Sequence, residues 1–272
     1  MIDVLRKIIE DKRDLPLLFK RNILKEYLQL IILSFIYSNS EFRELVFYGG
    51  SCLRHCFNVG RLSEDMDFVD IENRVDIKEL AEKLKYFLKK RYNLKSEAKI
   101  QKFRIILKIP ILYELNLAKK PESNFLFLKI EVYKEFDFCK GYKIEIIPVF
   151  KLGEAILVRS FDIQTLMSTK IRAILHRKWE KTTKNGRILA RVKGRDYYDL
   201  MWYLEKDIVP NFKCIEGIND KEELKRRLLS IIGEIDSESI KYDLEGFIEN
   251  KDLIEDLGNN IRKIIKALLE KW

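Results

Sequence analysis

The sequence predicts an α+β fold: a mixed sheet with flanking helices, followed by a helical C-terminal domain. Three observations carry this. Short apolar runs with period-two alternation gather between residues 45 and 150. Helically spaced apolar residues fill the stretch from Ile2 to Ser38 before them. From Phe161 the helical pattern returns and persists to the C-terminus. At 272 residues and 47% hydrophobic content, the chain suits one large domain or two small ones.

The N-terminal elements come first. Leu24, Leu28, Ile31, Ile32 and Phe35 share a helical face and carry no evident chemistry, so residues 1–40 read as helices packed on the sheet domain. Val46 to Tyr48 reads as a strand running into Gly49-Gly50-Ser51. A helix is expected from Ser51 to Phe57, with Leu53 and Phe57 inward and Arg54 and His55 exposed. Asn58 to Glu64 is a loop, in which Arg61 has two options, a phosphate or Glu64. A second strand carries Asp65 and Asp67. Asp76 caps a helix reaching about Lys90, with Ile77, Leu80, Ala81, Leu84, Phe87 and Leu88 apolar. Strands are expected near 94–100, 103–109, 125–133 and 142–150, with a turn at Ser123 and Asn124.

Asp162 caps a helix to about Lys178, whose apolar stripe is Ile163, Leu166, Met167, Ile171 and Ile174. Lys170 falls near the centre of that stripe and Arg177 near its edge. A lysine there is costly unless its head reaches water or an anion. Thr182 to Gly194 reads as a polar, basic, mobile loop. A helix from Arg195 to Lys206 then sets Asp196, Asp199 and Tyr203 in one sector. The tail beyond Asn219 reads as helices separated by Gly233 and Gly246.

The chemistry concentrates between Val46 and Asp70. Residues i and i+2 of a strand share a face, so Asp65 and Asp67 lie side by side, about 7 Å apart along the chain. Two such carboxylates repel unless positive charge sits between them. A divalent ion such as Mg²⁺ (or Mn²⁺) supplies it, and Mg²⁺ favours one or two carboxylates together with phosphate oxygens. Gly49-Gly50-Ser51 offers close backbone approach, amide donors and a hydroxyl, and a helix N-terminus aimed at phosphate. A phosphate cradle beside a carboxylate pair points to phosphoryl-group chemistry on a nucleotide triphosphate.

Gly49-Gly50-Ser51, thirteen residues, then Asp65-x-Asp67 resembles the signature of the DNA polymerase β-like nucleotidyltransferase superfamily. Phe47 to Leu53, Arg61-Leu62-Ser63-Glu64-Asp65-Met66-Asp67-Phe68, and Lys193-Gly194-Arg195-Asp196-Tyr197-Tyr198-Asp199-Leu200 resemble the AbiEii/AbiGii toxin family more closely. That family is the nucleotidyltransferase half of type IV toxin–antitoxin systems. The resemblance covers about Val46 to Leu204 and implies a nucleotidyltransferase fold over residues 41–160 and a helical domain over residues 161–272, closing over a cleft. It implies Asp65 and Asp67 as metal ligands, and Gly49, Gly50, Ser51 and Ser63 as nucleotide-binding residues. A third carboxylate on a later strand is implied too, sharing the metal with Asp65 and Asp67 or taking the proton from the attacking hydroxyl. Glu131 matches best, on the face shared by Phe127, Lys129 and Tyr133; Glu145 is the rival. Lys170, with Arg177, is implied at the triphosphate. For Asp196 three roles stay open: orienting Lys170, positioning the acceptor, or acting as base. A structural pair with Arg195 or Arg172 is the plainer reading beside them.

Charge bears on the acceptor. The net charge is +9, and Lys170 to Arg195 holds ten Lys or Arg against one acid, Glu180, so this segment accounts for the excess. A local basic patch favours a polyanion such as RNA. With the resemblance, this implies NMP transfer from NTP to an RNA hydroxyl, the tRNA 3′ end being one candidate, by a toxin with a cognate antitoxin. Two other readings stand beside it. One is the same chemistry on a small-molecule or protein acceptor. The other is a non-catalytic RNA-binding or antitoxin-like protein of this fold, against which the intact Gly-Gly-Ser and carboxylates argue.

No run of eighteen apolar residues is present, so no membrane span is expected. The N-terminus is helix-like and acid-containing, unlike a signal peptide. Cys52, Cys56, Cys139 and Cys214 show no paired framework and no second zinc-ligand pair, so reduced thiols in a cytoplasmic protein are expected.

Overall fold

The computed structural model describes every residue but Lys184; that residue of the predicted basic loop lies outside the described residues. The chain forms two compact units. One comprises Met1–Phe136 and Ile144–Ser160, the other Asp137–Lys143 and Phe161–Trp272.

The first unit is built on a seven-stranded sheet. Its strands are β1 (Val46–Tyr48), β2 (Asp65–Val69), β3 (Glu97–Gln101), β4 (Arg104–Pro110), β5 (Phe125–Tyr133), β6 (Ile144–Lys151) and β7 (Glu154–Phe161). Their order is β3-β4-β5-β2-β1-β7-β6. β2 runs antiparallel to β1 and parallel to β5, while β1 runs parallel to β7, so the sheet is mixed. The strands that bear Asp65, Asp67 and Glu131 are thus neighbours at its centre.

Alternation decides the faces. Leu126, Leu128, Ile130 and Val132 of β5 are buried, as are Met66 and Phe68 of β2 and Ile105, Leu107 and Ile109 of β4. Helices α1 (Ile2–Glu10), α2 (Leu17–Ser38), α3 (Gly49–Cys56) and α4 (Ile77–Tyr92) complete the unit. Leu24, Leu28, Ile31, Ile32 and Phe35 of α2 are buried, as their spacing predicts. Asp76 caps α4 by accepting from the Lys78 amide, and Asn93 in the left-handed region ends it.

The second unit is helical: α5 (Ile163–His176), α6 (Gly194–Glu205), α7 (Lys221–Ile232), α8 (Ser237–Leu244) and α9 (Lys251–Lys271). Asp162 caps α5 through the Thr165 amide, and Asp220, Asp236 and Asn250 cap α7, α8 and α9 likewise. α6 packs against α5, α8 and α9, which is why almost every one of its residues is buried. No helix among the described residues is long and apolar enough to cross a membrane.

Several expectations need correction. The strand β7 is absent from the sequence pattern: its alternation is weak, and its place between β1, parallel at Phe47 and Ser160, and β6 makes it part of the sheet. The basic loop holds a two-stranded hairpin, β8 (Lys181–Thr182) with β9 (Ile188–Ala190). Gly194, expected in the loop, belongs to the helix that follows. It opens α6 against α8, where a Cβ would stand 2.9 Å from the Ile240 carbonyl oxygen. Cys139 and Cys214 are bonded to each other across 75 residues, contrary to the expected reduced thiols, while Cys52 and Cys56 are free. Nothing in the linear spacing marks that pair. It forms because Asp137–Lys143 joins the second unit, beside the short 3₁₀ turn Phe212–Cys214.

Candidate active site

The sheet unit brings the central sequence motif together. α3 begins at Gly49, two residues earlier than its spacing suggests, so Gly49-Gly50-Ser51 forms the helix's first turn. Amides of a first turn have no partner within the helix and are available to an anion. Gly49 adopts φ +76°, and a Cβ there would lie 2.5 Å from Asp67 Oδ2. Glycine is therefore required both for the backbone conformation and for the close approach of the helix start to this carboxylate.

Behind the turn, Ser51 is fully buried. Its hydroxyl donates to the Asp65 carbonyl and lies 3.1 Å from Ser63 Oγ. Ser51 and Ser63 thus fasten the start of α3 to the loop that presents the aspartates. Arg61 is buried as well: Nη1 donates to the Leu62 carbonyl at 2.9 Å, and a Cβ on Gly50 would meet its guanidinium at 3.0 Å. From α2, Gln29 donates to the Ser63 carbonyl at 3.0 Å and meets His55 Nε2 at 2.9 Å through its oxygen. His55 is therefore an inward residue, not the exposed one expected. Burial, then the charges of Lys151 and Arg54, pull its pKa down to about 3, so it is neutral. Arg54 pairs with Glu26.

The carboxylates lie along one face. In register, Asp65 stands opposite Lys129 and Asp67 opposite Glu131. Tyr48 pairs with Asp67 on one side, and Arg104 with Glu131 on the other. One cross-strand row therefore reads Tyr48, Asp67, Glu131, Arg104. Glu131 is buried, with Arg104 on Oε1 and the Tyr133 hydroxyl donating to Oε2. Burial and then Glu131 push the Tyr133 phenol well above its usual range. Lys129 Nζ lies 3.3 Å from Asp65 Oδ1. Burial and the nearby Glu64 charge raise the Asp65 pKa, with Glu131 adding to the rise against Lys129. Glu145 lies exposed on edge strand β6, with β1 and β7 between it and the aspartates.

Among the described residues, no three His, Cys, Asp or Glu side chains form a ready-made metal site. The donor chemistry still fits a hard divalent ion. Asp65 and Asp67 offer carboxylate oxygens from one face, the hard oxygen donors such an ion takes.

The helical unit holds a second cluster. Lys170 Nζ lies 2.8 Å from Asp196 Oδ1 and 2.8 Å from Asp199 Oδ2, both carboxylates being buried. Arg177 reaches Asp196 Oδ2 at 3.1 Å. Burial favours the neutral acid at Asp196, yet Lys170, Lys193 and Arg177 outweigh it and hold the carboxyl well below its ordinary range. Lys170 thus resolves its place in an apolar stripe by pairing with α6. Arg195 and Arg172, the plainer partners for Asp196, are engaged elsewhere: Arg195 with Asp243, and Arg172 with Glu216.

Residues 32–270 match the model of the family described as nucleotidyl transferase AbiEii toxin, type IV TA system. The chain belongs to this family of nucleotidyltransferase toxins. Among solved structures it is similar to MenT4, a nucleotidyltransferase toxin from Mycobacterium tuberculosis H37Rv, at 14% identity and TM-score 0.55, over 100% of this chain and 90% of that one. It is also similar to JHP933 from Helicobacter pylori, at 16% identity and TM-score 0.49, over 92% of each chain. No curated protein sequence matches it. As an AbiEii-family protein the chain is a nucleotidyltransferase of a toxin–antitoxin system.

Two residues around this AbiEii site lie beyond the reach of sequence reasoning, Gln29 and Arg104, while Lys129 and Tyr133 fall on the Glu131 face by their spacing. A lone glutamine inside the apolar run of α2 is the one available signal. Arg104 opposite Glu131, and Lys129 opposite Asp65, depend on strand register.

Proposed function

We propose that this AbiEii-family enzyme moves an NMP from an NTP to a hydroxyl of RNA, the tRNA 3′ end being the leading candidate. It does so in the cytoplasm, under restraint by a cognate antitoxin. The observation that carries the chemistry is the row Tyr48–Asp67–Glu131–Arg104, with the Gly49 turn against Asp67. The basic segment from Lys170 to Arg195 supports a polyanionic acceptor.

In this reading Gly49, Gly50 and Ser51 offer first-turn amides to the triphosphate, and Ser51 and Ser63 hold that turn in place through their hydroxyls. Asp65 and Asp67 would hold Mg²⁺ or Mn²⁺, which when bound offsets phosphate charge and aligns attacking and leaving oxygens. Glu131 is the third carboxylate. Its two present partners, Arg104 and Tyr133, fix its position, and Oε2, which accepts from Tyr133, keeps a lone pair for the acceptor's proton. Lys170 and Arg177 are assigned to triphosphate charge, with Asp196 and Asp199 orienting the lysine.

The test is a labelling assay with Mg²⁺, total RNA and each α-labelled NTP, beside Asp67→Asn. An RNA band labelled by the wild type and absent from the variant supports the proposal. Label in protein or small molecules alone, with Mg-NTP binding intact, replaces RNA by another acceptor.

A further inference from the structure

A cavity of about 380 Å³ opens at Tyr133, the end of β5, within the sheet unit. That is within the range of small-molecule sites, about 300–1,000 Å³. Val75, Ile77 and Val132 form its apolar wall, Phe103 and Tyr133 its aromatic one, with Lys102, Lys134 and Glu135 at the rim. The two rings stack at 4.6 Å between centroids with 31° between planes. Phe103 is 38% exposed, so its ring is accessible from solvent. It is held firmly: it sits on the β3–β4 turn, and its carbonyl accepts from the Val132 amide at 2.8 Å.

The cavity is tied to the reacting groups. Tyr133 is the residue whose hydroxyl bonds Glu131, and Phe103 directly precedes Arg104, the other partner of Glu131. In strand order it lies at β5 and β4, beyond Glu131 from the Gly49 turn after β1. A phosphate bound at that turn and a base bound here would lie on opposite sides of the third carboxylate. Exposed aromatic rings flanked by lysines are the recurring platform for an unpaired base and its phosphates.

We propose that the Phe103–Tyr133 cavity is a nucleobase-stacking subsite, occupied by the terminal base of the acceptor RNA. This rests on the RNA-transfer reading above. The competing source of the same chemistry is the base of the incoming NTP, and the experiment separates them.

A single-stranded oligoribonucleotide with 2-aminopurine as its 3′-terminal base is titrated with the full chain. The wild type quenches its fluorescence on binding. Phe103→Ala binds about tenfold more weakly, the loss of one base–aromatic stack, and abolishes the quench. Phe103→Trp restores both, and Mg-NTP binds all three alike. Should Phe103→Ala fail to fold, Phe103→Leu keeps an apolar but non-aromatic residue and carries the same comparison. A quench indifferent to Phe103 overturns the subsite. Weakened Mg-NTP binding with RNA binding unchanged assigns the cavity to the incoming base and overturns the acceptor assignment. If no RNA is labelled in the transfer assay yet the quench depends on Phe103, RNA transfer fails and the subsite stands; the reverse pair leaves transfer and removes the subsite.

Discussion

Asp67 on β2 and Glu131 on β5 stand opposite each other in a parallel register, with Gly49 pressed against the aspartate. Asp67→Asn keeps shape and removes charge. Transfer should fall by about 10²–10³-fold or more, as for loss of a principal electrostatic group. The thermal unfolding midpoint should stay close to that of the wild type. Near-normal turnover of labelled NTP by this variant would remove Asp67 from the mechanism.

Gly49→Ala is a harsher change than its size suggests. The left-handed backbone costs a non-glycine residue about 1–2 kcal/mol. The added methyl also collides with Asp67 Oδ2. Urea denaturation should show a loss of at least that size, together with loss of transfer. A variant as stable and active as the wild type would show that the turn tolerates a side chain.

Lys170→Met separates buried from exposed pairing. Removing the lysine leaves Asp196 and Asp199 buried without it, a situation that costs about 3–5 kcal/mol. Arg177, 42% exposed, pairs with the same Asp196. Arg177→Met should cost less than about 1 kcal/mol. Denaturant midpoints of the two variants give the comparison, and equal losses would contradict the burial argument.

Asp196 predicts an acid limb. Its folded pKa lies below the unfolded value of about 3.9. The stabilisation is thus fully present above the unfolded value and is lost as pH falls towards the folded one. Stability measured from pH 5 downward should drop steeply in the wild type. Asp196→Asn should be less stable at neutral pH and flatter across the acid window. Parallel curves would assign the acid limb to other groups.

Asp65 has the opposite sign. Its folded pKa is raised, so ionising it costs stability, and that cost is complete once pH exceeds the folded value. In EDTA at neutral pH, Asp65→Asn should therefore melt above the wild type while losing transfer. Mg²⁺ should raise the wild-type midpoint and leave the variant where it was. A variant that gains the same shift from Mg²⁺ would place the ion elsewhere.

The legible parts of the molecule are those written in short spacings. Asp65 and Asp67 two residues apart, the Gly-Gly-Ser turn before them, and capping residues such as Asp76 and Asp162 need only local geometry. So do the apolar stripes of α2 and α5. The hidden parts depend on which strand lies beside which. Arg104 cannot be tied to Glu131 without the β4–β5 register, whereas Tyr133 shares its face by spacing alone. The weakly alternating β7 becomes a strand through its parallel neighbour, and His55 becomes neutral through burial against a glutamine from another helix. The bond between Cys139 and Cys214 closes a distance in sequence that no spacing rule reaches.

The excursion of Asp137–Lys143 out of the sheet unit between β5 and β6 bears on how the protein is made. During synthesis, β1 emerges early but gains its second neighbour only when Ser160 appears. Cys139 waits longer still, until Cys214 has been translated. A chain stopped at Ser160 would hold every residue of the sheet unit, yet it would leave Asp137–Lys143, and Cys139 with it, without the helical unit they belong to. Such a chain should carry Cys139 as an unpaired thiol, where the full-length protein closes a bond.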